Sequence, residues 1–220
     1  MKQRVYAIIV FALFALGCAA SGNPGMKEPA KETMPSQDKL KHATFAGGCF
    51  WCTEAIFQEL KGVYKVTSGY TGGHVPNPSY QAVCTGTTGH AESVDILYNP
   101  DEITYEELLE VFFKTHDPTT LNRQGADEGL QYRSAVFYHD EGQKEAAEGV
   151  IKALTEAKVY PNPIVTEVTK ASTFYPAENY HQDYYANNSR AGYCQMVITP
   201  KVEKFRKVFA DKIRKAQIAR

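Results

Sequence analysis

The pattern of apolar and polar positions from residue 42 onward predicts a succession of strands and helices. Short alternating or apolar stretches predict strands over residues 43–46, 62–70, 92–98, 133–139 and 164–168. Apolar residues at helical spacing predict helices over residues 53–60, 104–114, 141–156 and 201–215. The absence of an internal repeat and the mixture of both elements predict one α+β domain, a small sheet with helices packed over it.

Local signals refine three of these predictions. Ser79 is an expected N-cap for a short helix that runs to Cys84. A polar loop is predicted over residues 117–131, which contain Pro118 and two glycines. The last helix has one apolar stripe, expected to be buried, which consists of Val202, Phe205, Val208, Phe209 and Ile213.

The first residues have the pattern of an export signal. Lys2 and Arg4 precede an apolar run over residues 5–16, which is too short to span a bilayer comfortably. We therefore expect a signal segment over residues 1–18 and an exported protein, in the bacterial periplasm or cell envelope. Residues 19–41 are rich in Gly, Pro, Ser, Ala and Lys and predict a flexible tether before one folded domain at 42–220.

The end of the signal segment is consistent with two kinds of processing. Ala15-Leu16-Gly17-Cys18 resembles a bacterial lipobox, in which Cys18 becomes the lipidated first residue of the mature protein. Ordinary signal cleavage near Ala19 or Ala20 is the alternative. A lipid anchor is the only membrane contact that we expect, and the net charge of −1 gives no reason to expect nucleic acid or an anionic membrane as a partner.

The segment Cys49-Phe50-Trp51-Cys52 carries the strongest chemical signal in the chain. It contains the only tryptophan and two thiols three residues apart. The predicted strand before it and helix after it place Cys49 at a helix N-terminus, where the helix dipole is expected to lower the pKa of the thiol. A disulfide between Cys49 and Cys52 at the first helical turn would be strained and easily reduced, which indicates redox chemistry.

Six motifs in order extend this signal over most of residues 43–194. They are Gly47-Gly48-Cys49-Phe50-Trp51, Gly69-Tyr70-Thr71-Gly72-Gly73, Asn77-Pro78-Ser79-Tyr80, Thr88-Gly89-His90-Ala91-Glu92, His116-Asp117-Pro118-Thr119 and Gln131-Tyr132-Arg133-Ser134. Together they resemble the A-type peptide methionine sulfoxide reductases, which act on the S epimer of methionine sulfoxide. The resemblance implies a ferredoxin-like α+β core, no metal or organic cofactor, and recycling by a thioredoxin-type reductant.

The resemblance also implies a role for each matching residue. Cys49 would be the nucleophile and would become a sulfenic acid when methionine is released. Glu92 would protonate the sulfoxide oxygen, which requires burial to raise its pKa. The hydroxyl groups of Tyr80 and Tyr132 would hydrogen-bond that oxygen. The pocket would be completed by Phe50 and Trp51, which would seat the methyl group, and by the polar residue Asp127.

The step that removes the sulfenic acid has two candidates, Cys194 and Cys52. Cys194 matches a recurring C-terminal cysteine of the family and is favoured, because a loop there would be more mobile than a helical turn. Cys84 is expected to be a buried, inert thiol. His90 and His181 are expected to make structural hydrogen bonds.

Rival hypotheses use only part of this pattern. The spacing of Cys49 and Cys52 alone would suit a thioredoxin-like disulfide oxidoreductase. It would also suit a zinc ribbon, but the sequence offers no second ligand pair. A non-enzymatic exported lipoprotein stabilised by disulfides is the third alternative. None of the three accounts for the motifs around Glu92 and the tyrosines.

Overall fold

The computed structural model describes residues 35–214. The predicted signal segment and the lipidation candidate Cys18 lie outside the described residues, as does most of the predicted tether. In the described part of that tether, a 3-10 turn covers Gln37–Lys39 and the first strand begins at Lys41.

Strands and helices alternate along the described chain. The strands are β1 Lys41–Gly47, β2 Val63–Thr71, β3 Ala91–Tyr98, β4 Arg123–Gln124, β5 Asp127–Glu128, β6 Ser134–Tyr138, β7 Glu167–Lys170 and β8 Tyr175–Pro176. The helices are α1 Phe50–Phe57, α2 Tyr80–Cys84, α3 Tyr105–Thr115, α4 Glu141–Glu156, α5 Tyr184–Asn188 and α6 Thr199–Val208. A helical turn over Cys194–Ile198 leads directly into α6.

Six of these strands form one mixed sheet in the order β7-β6-β1-β3-β2-β8. The β6–β7 pair is parallel and the other neighbours are antiparallel. The two remaining strands, β4 and β5, form a small hairpin inside the predicted loop 117–131. A sheet with packed helices is the arrangement that the sequence predicted, and the structure adds the mixed strand directions.

The core lies between the central strands and the helices. Phe45 of β1 stacks on Phe112 of α3 with 4.9 Å between ring centroids. The other apolar residues of α3 that helical spacing placed on its inner face, Leu108, Leu109 and Phe113, are also buried. Helix α1 is buried over most of its length, which keeps its first residues in a fixed position against the sheet.

Side-chain caps explain where several helices begin. The Ser79 hydroxyl accepts the backbone N–H of Ala82 and starts α2, as predicted. Thr104 and Glu107 form a reciprocal capping box at the start of α3. Asp140 accepts the N–H of Gln143 and starts α4, whose bounds agree with the prediction.

Two predicted elements are displaced. The predicted strand at 164–168 begins later in the structure, as β7 at Glu167. The Val165 N–H donates to the Pro118 carbonyl, and pairing with β6 starts only at Glu167. The last helix ends at Val208, which is 52% exposed although the predicted stripe included it. The chain turns after Val208, and Ile213 is buried through a bridge to Leu60 rather than through the helix.

Membrane-spanning helices and metal-binding clusters are both absent from the described residues. None of the helices within 35–214 is long and apolar enough to cross a membrane. The same residues contain no group of three or more His, Cys, Asp or Glu side chains arranged to hold a metal ion.

The turn between β1 and α1 depends on Gly48. Its φ is +88°, a region that residues with a Cβ rarely adopt. A Cβ at this position would lie 2.5 Å from the Cβ and Cγ of Gln124. The side chain of Gln124 is held in turn by Asp117, because it accepts the backbone N–H and donates to the carbonyl.

We expect Gly48→Ala to lower the free energy of unfolding by about 1–3 kcal/mol, because the substitution combines an unfavourable φ with a clash. Urea unfolding monitored by circular dichroism measures the change. Gly149→Ala is the matched control, since Gly149 lies in α4 with open space around it, and it should raise stability by about 0.5–1 kcal/mol. Equal unfolding midpoints for Gly48→Ala and the wild type would contradict the expectation.

Candidate active site

A cavity of about 200 Å³ opens where β1 turns into α1. It is smaller than the roughly 300–1,000 Å³ of sites for drug-sized ligands, and it suits a single side chain. The cavity brings together the seven residues that the sequence assigned to catalysis or to the substrate pocket, and it adds Tyr193. The lining residues are Cys49, Phe50, Trp51, Tyr80, Glu92, Asp127, Tyr132 and Tyr193.

Cys49 is the N-cap residue of α1, at the strand-to-helix junction that the sequence predicted. The predicted lowering of its pKa is wrong. Burial raises the pKa of the Cys49 thiol well above its ordinary value, and the interactions with Cys52 and Glu92 raise it further. The nearby N–H groups at the start of α1 do not reverse this, because those of Cys52 and Thr53 donate to the Cys49 carbonyl oxygen.

Glu92 lies near the start of β3 and is 2% exposed. Its Oε2 accepts the backbone N–H of Phe50 at 3.1 Å, which joins the first turn of α1 to the sheet. Burial raises the pKa of Glu92 to about 8, and the charge of Asp127 adds to the shift. At neutral pH this carboxyl group is therefore mainly protonated and able to donate.

Three tyrosine hydroxyls face the same space. Burial raises the pKa of Tyr80 and Tyr132, and the charge of Glu92 contributes to both shifts. The Tyr193 hydroxyl donates to Asp127 Oδ2 at 2.7 Å, and it interacts electrostatically with Cys49. These hydroxyls therefore remain protonated and act as hydrogen-bond donors over the ordinary pH range.

The aromatic wall of the cavity is formed by Phe50 and Trp51. Phe50 is 1% exposed and Trp51 is half-buried. The indole N–H of Trp51 donates to His181 Nδ1 at 3.1 Å. Its ring stacks on Tyr184 with 3.6 Å between centroids and 7° between planes. A hydrogen bond and a stacked ring thus hold the Trp51 indole in the wall of the cavity.

Three thiols are connected by pairwise interactions, Cys49 with Cys52 and Cys52 with Cys194. Cys52 lies three residues after Cys49, in the first turn of α1, and its interaction with the Cys49 thiol lowers the pKa of Cys52. Cys194 interacts electrostatically with Cys52, and burial raises its pKa. The premise that Cys194 lies in a mobile loop is wrong, because it is fully buried at the start of a helical turn.

Cys84 does not lie where the sequence placed it. The expectation of a buried thiol is wrong, because Cys84 is exposed as the last residue of the short helix α2. The α2 residue that packs inward is Val83, which is fully buried. The Cys84 thiol interacts with the Tyr80 hydroxyl, so it lies next to the cavity.

These groups together define what the cavity can do chemically. A protonated carboxyl and neutral hydroxyls can donate to an oxygen atom, and the aromatic wall can hold an apolar group next to it. The thiol of Cys49 lines the same space, and a thiol is a group that can attack an electrophilic atom held there.

Comparison with known proteins identifies the family. The model of the family described as peptide methionine sulfoxide reductase matches residues 41–213. The chain belongs to this family. A peptide methionine sulfoxide reductase MsrA of Deinococcus radiodurans is 57% identical over 174 residues, which cover 79% of this chain and 84% of that protein. Thermus thermophilus MsrA is 55% identical over 172 residues, 78% of this chain and 97% of its own.

Solved structures of the family agree with the fold. Reduced Mxr1 from Saccharomyces cerevisiae has a TM-score of 0.66 and 35% identity, over 74% of this chain and 94% of its own. Methionine sulfoxide reductase A of Corynebacterium diphtheriae has a TM-score of 0.63 and 35% identity, over 72% of this chain and 79% of its own.

Sequence reasoning missed one cavity residue of this family member and undervalued another residue. The sequence pattern gave no role to Tyr193, although its hydroxyl donates to Asp127 and interacts with Cys49. His181 was expected to make structural hydrogen bonds, and its acceptance of the Trp51 N–H places that bond at the cavity wall. His90 makes structural bonds only, to the backbone of Gly73 and Val75.

Proposed function

We propose that this protein reduces the S epimer of methionine sulfoxide, free or in oxidised proteins, to methionine. The observation that carries the proposal is one small cavity in which a buried, protonated Glu92, the Cys49 thiol and an aromatic wall meet. The name of its family indicates this reaction, and by it the protein would repair oxidised proteins.

The first chemical step transfers oxygen from the substrate to Cys49. The Cys49 sulfur attacks the sulfoxide sulfur while Glu92 gives its proton to the sulfoxide oxygen. The attack forms a bond between the two sulfur atoms and leaves a hydroxyl group on the substrate sulfur, while Glu92 recovers the proton of the thiol. The hydroxyl group then moves to the Cys49 sulfur as the S–O and S–S bonds of the substrate sulfur break, and the products are methionine and a Cys49 sulfenic acid. The hydroxyls of Tyr80 and Tyr132 stabilise the oxygen through hydrogen bonds, because they remain protonated.

The second step closes a disulfide. Proximity favours Cys52 as the first partner, because it lies in the first turn of α1, three residues after Cys49, and the two thiols interact. Attack of the Cys52 thiol on the Cys49 sulfenic acid gives a Cys49–Cys52 disulfide and water. Cys194, which interacts with Cys52, would then take over the bond to Cys52 and release Cys49. A thioredoxin-like dithiol would reduce the final disulfide.

The proposed core is ferredoxin-like. Support comes from the succession β1-α1-β2-β3-α3-β6, with α2 as an insertion between β2 and β3. The four strands of this succession are neighbours in the antiparallel order β6-β1-β3-β2, as expected for two interlocked βαβ units.

The proposed domain at 42–220 would work outside the cytoplasm. Residues 1–18 supply the export signal, Cys18 the lipid anchor and 19–41 the tether, on the sequence features given above. The protein would then repair proteins of the cell envelope.

We expect Glu92→Gln to slow the first turnover by roughly 10²–10⁴-fold, because the amide cannot supply a proton. Wild-type rates should fall as pH rises through about 8, where Glu92 loses its proton, and this falling limb should vanish in the variant. Rapid-quench measurement of methionine from a sulfoxide peptide gives both results, with inactive Cys49→Ser as reference. A wild type that reduces insulin disulfides but not methionine sulfoxide would contradict the proposed function.

The order of the thiols is tested by mapping disulfides after one turnover without reductant. We expect Cys194→Ser to accumulate the Cys49–Cys52 disulfide, and Cys52→Ser to accumulate a sulfenic acid that a dimedone probe traps on Cys49. Mass spectrometry of the peptides measures both products, and Cys84→Ser is the control that should match wild type. Rapid formation of a Cys49–Cys194 disulfide in Cys52→Ser would show that Cys52 is not needed.

The anchor is tested by the mass of the mature N-terminus after expression of the full chain in a bacterium. We expect a diacylglycerol-modified Cys18 in the membrane fraction, because the lipobox cysteine is the lipidated residue. Cys18→Ala should abolish the modification. A mature protein that begins near Ala19 or Ala20 in wild type would replace the anchor by ordinary signal cleavage.

A further inference from the structure

Residues 177–184, here called the clasp segment, lie against β2 and α1. The side chain of Gln182 fixes the segment to β2, because its Oε1 accepts the Ser68 N–H at 3.0 Å and its Nε2 donates to the Ser68 carbonyl at 2.9 Å. Glu178 adds two further bonds, since it accepts the Tyr70 hydroxyl at 2.9 Å and the Tyr80 N–H at 3.0 Å.

The clasp segment holds Trp51 on two sides. His181 accepts the indole N–H, and the Tyr184 ring stacks in parallel on the indole. His181 is 1% exposed and also packs against Phe50 and Tyr80, with centroid distances of 5.2 and 4.4 Å. The position of the cavity wall therefore depends on the position of this segment.

Glu54 connects the clasp segment to α1. Its Oε1 accepts the Asp183 N–H at 3.1 Å and its Oε2 accepts the Tyr184 N–H at 3.3 Å. Trp51 and Glu54 are three residues apart, so they lie on the same side of the helix. Glu54 is 1% exposed, and a carboxyl group buried to this degree is costly unless hydrogen bonds satisfy it.

We propose that Glu54 is a positioning residue for substrate recognition. It fixes the Trp51 indole as the cavity wall by holding the backbone of Asp183 and Tyr184, in the clasp segment that also carries His181. Glu54 is not among the residues that line the cavity, and the proposed chemistry does not use it. This inference rests on the proposed function, in which the wall seats the methyl group of the substrate. A loosened wall should weaken binding of that group more than it slows the chemistry at Cys49.

The test compares Glu54→Ala with the wild type in two measurements. The steady-state KM for a methionine sulfoxide peptide should rise on the order of tenfold, which is the size of a methyl-sized pocket contact. We expect kcat to change by less than about threefold, because the lost contact stabilises the bound substrate and the transition state equally. The maximum of tryptophan emission should shift to longer wavelength, and acrylamide should quench the emission more strongly. The emission reports on Trp51 alone because the chain has no other tryptophan.

Two further variants separate positioning from general stability. Glu54→Gln keeps the volume and one acceptor but presents an amide N–H to a backbone N–H, so smaller changes in the same direction are expected. Gln58→Ala is the matched control, since Gln58 directly follows the last residue of α1 and donates to the Asp183 side chain at 2.7 Å, whereas the Tyr184 N–H donates to Glu54. Its KM and emission should stay at wild-type values.

Unchanged emission and KM in folded Glu54 variants would overturn the inference, also where their thermal stability falls. So would equal effects of Glu54→Gln and Gln58→Ala. A wild type without sulfoxide reductase activity would instead contradict the proposed function. In that case the fluorescence comparison alone still decides whether Glu54 fixes Trp51.

Discussion

The hydrogen bond from the Phe50 N–H to Glu92 Oε2 is the contact on which the arrangement of the cavity depends. It joins the first residue of α1 to the second residue of β3, and these two residues are 42 positions apart in the sequence. Because Glu92 pairs with Tyr70 in the register of β2 and β3, its position is fixed by the sheet. The bond therefore sets where Cys49, Phe50 and Trp51 lie relative to the carboxyl group.

Burial at this contact and around it keeps the titratable groups of the cavity protonated. The single backbone donor lowers the pKa of Glu92 less than burial raises it, and the charges of Asp127 and Cys52 act in the same direction as burial. The same effect keeps the Cys49 thiol and the hydroxyls of Tyr80 and Tyr132 protonated. A site of this kind favours a neutral substrate with an oxygen that accepts hydrogen bonds, and a sulfoxide has that property.

Local signals were sufficient for most elements, and long-range contacts decided the rest. The caps at Ser79 and Thr104 and the full length of α4 follow from residues close in sequence. The start of β7 does not, because it depends on pairing with β6. Cys84 was misplaced for a related reason: in so short a helix, only packing against the domain decides that Val83 rather than Cys84 faces inward.

The site was predicted by motif to the level of residue identity, but its electrostatics required the fold. A helix N-terminus alone favours a thiolate, whereas burial raises the pKa of the Cys49 thiol and the interaction with Cys49 lowers the pKa of Cys52. This division fits the two chemical steps that we propose. Once Cys49 carries the oxygen it becomes the electrophile, and the neighbour with the lowered pKa is then the better nucleophile. In our proposal, the fold therefore brings the second thiol next to the first before the oxygen is transferred.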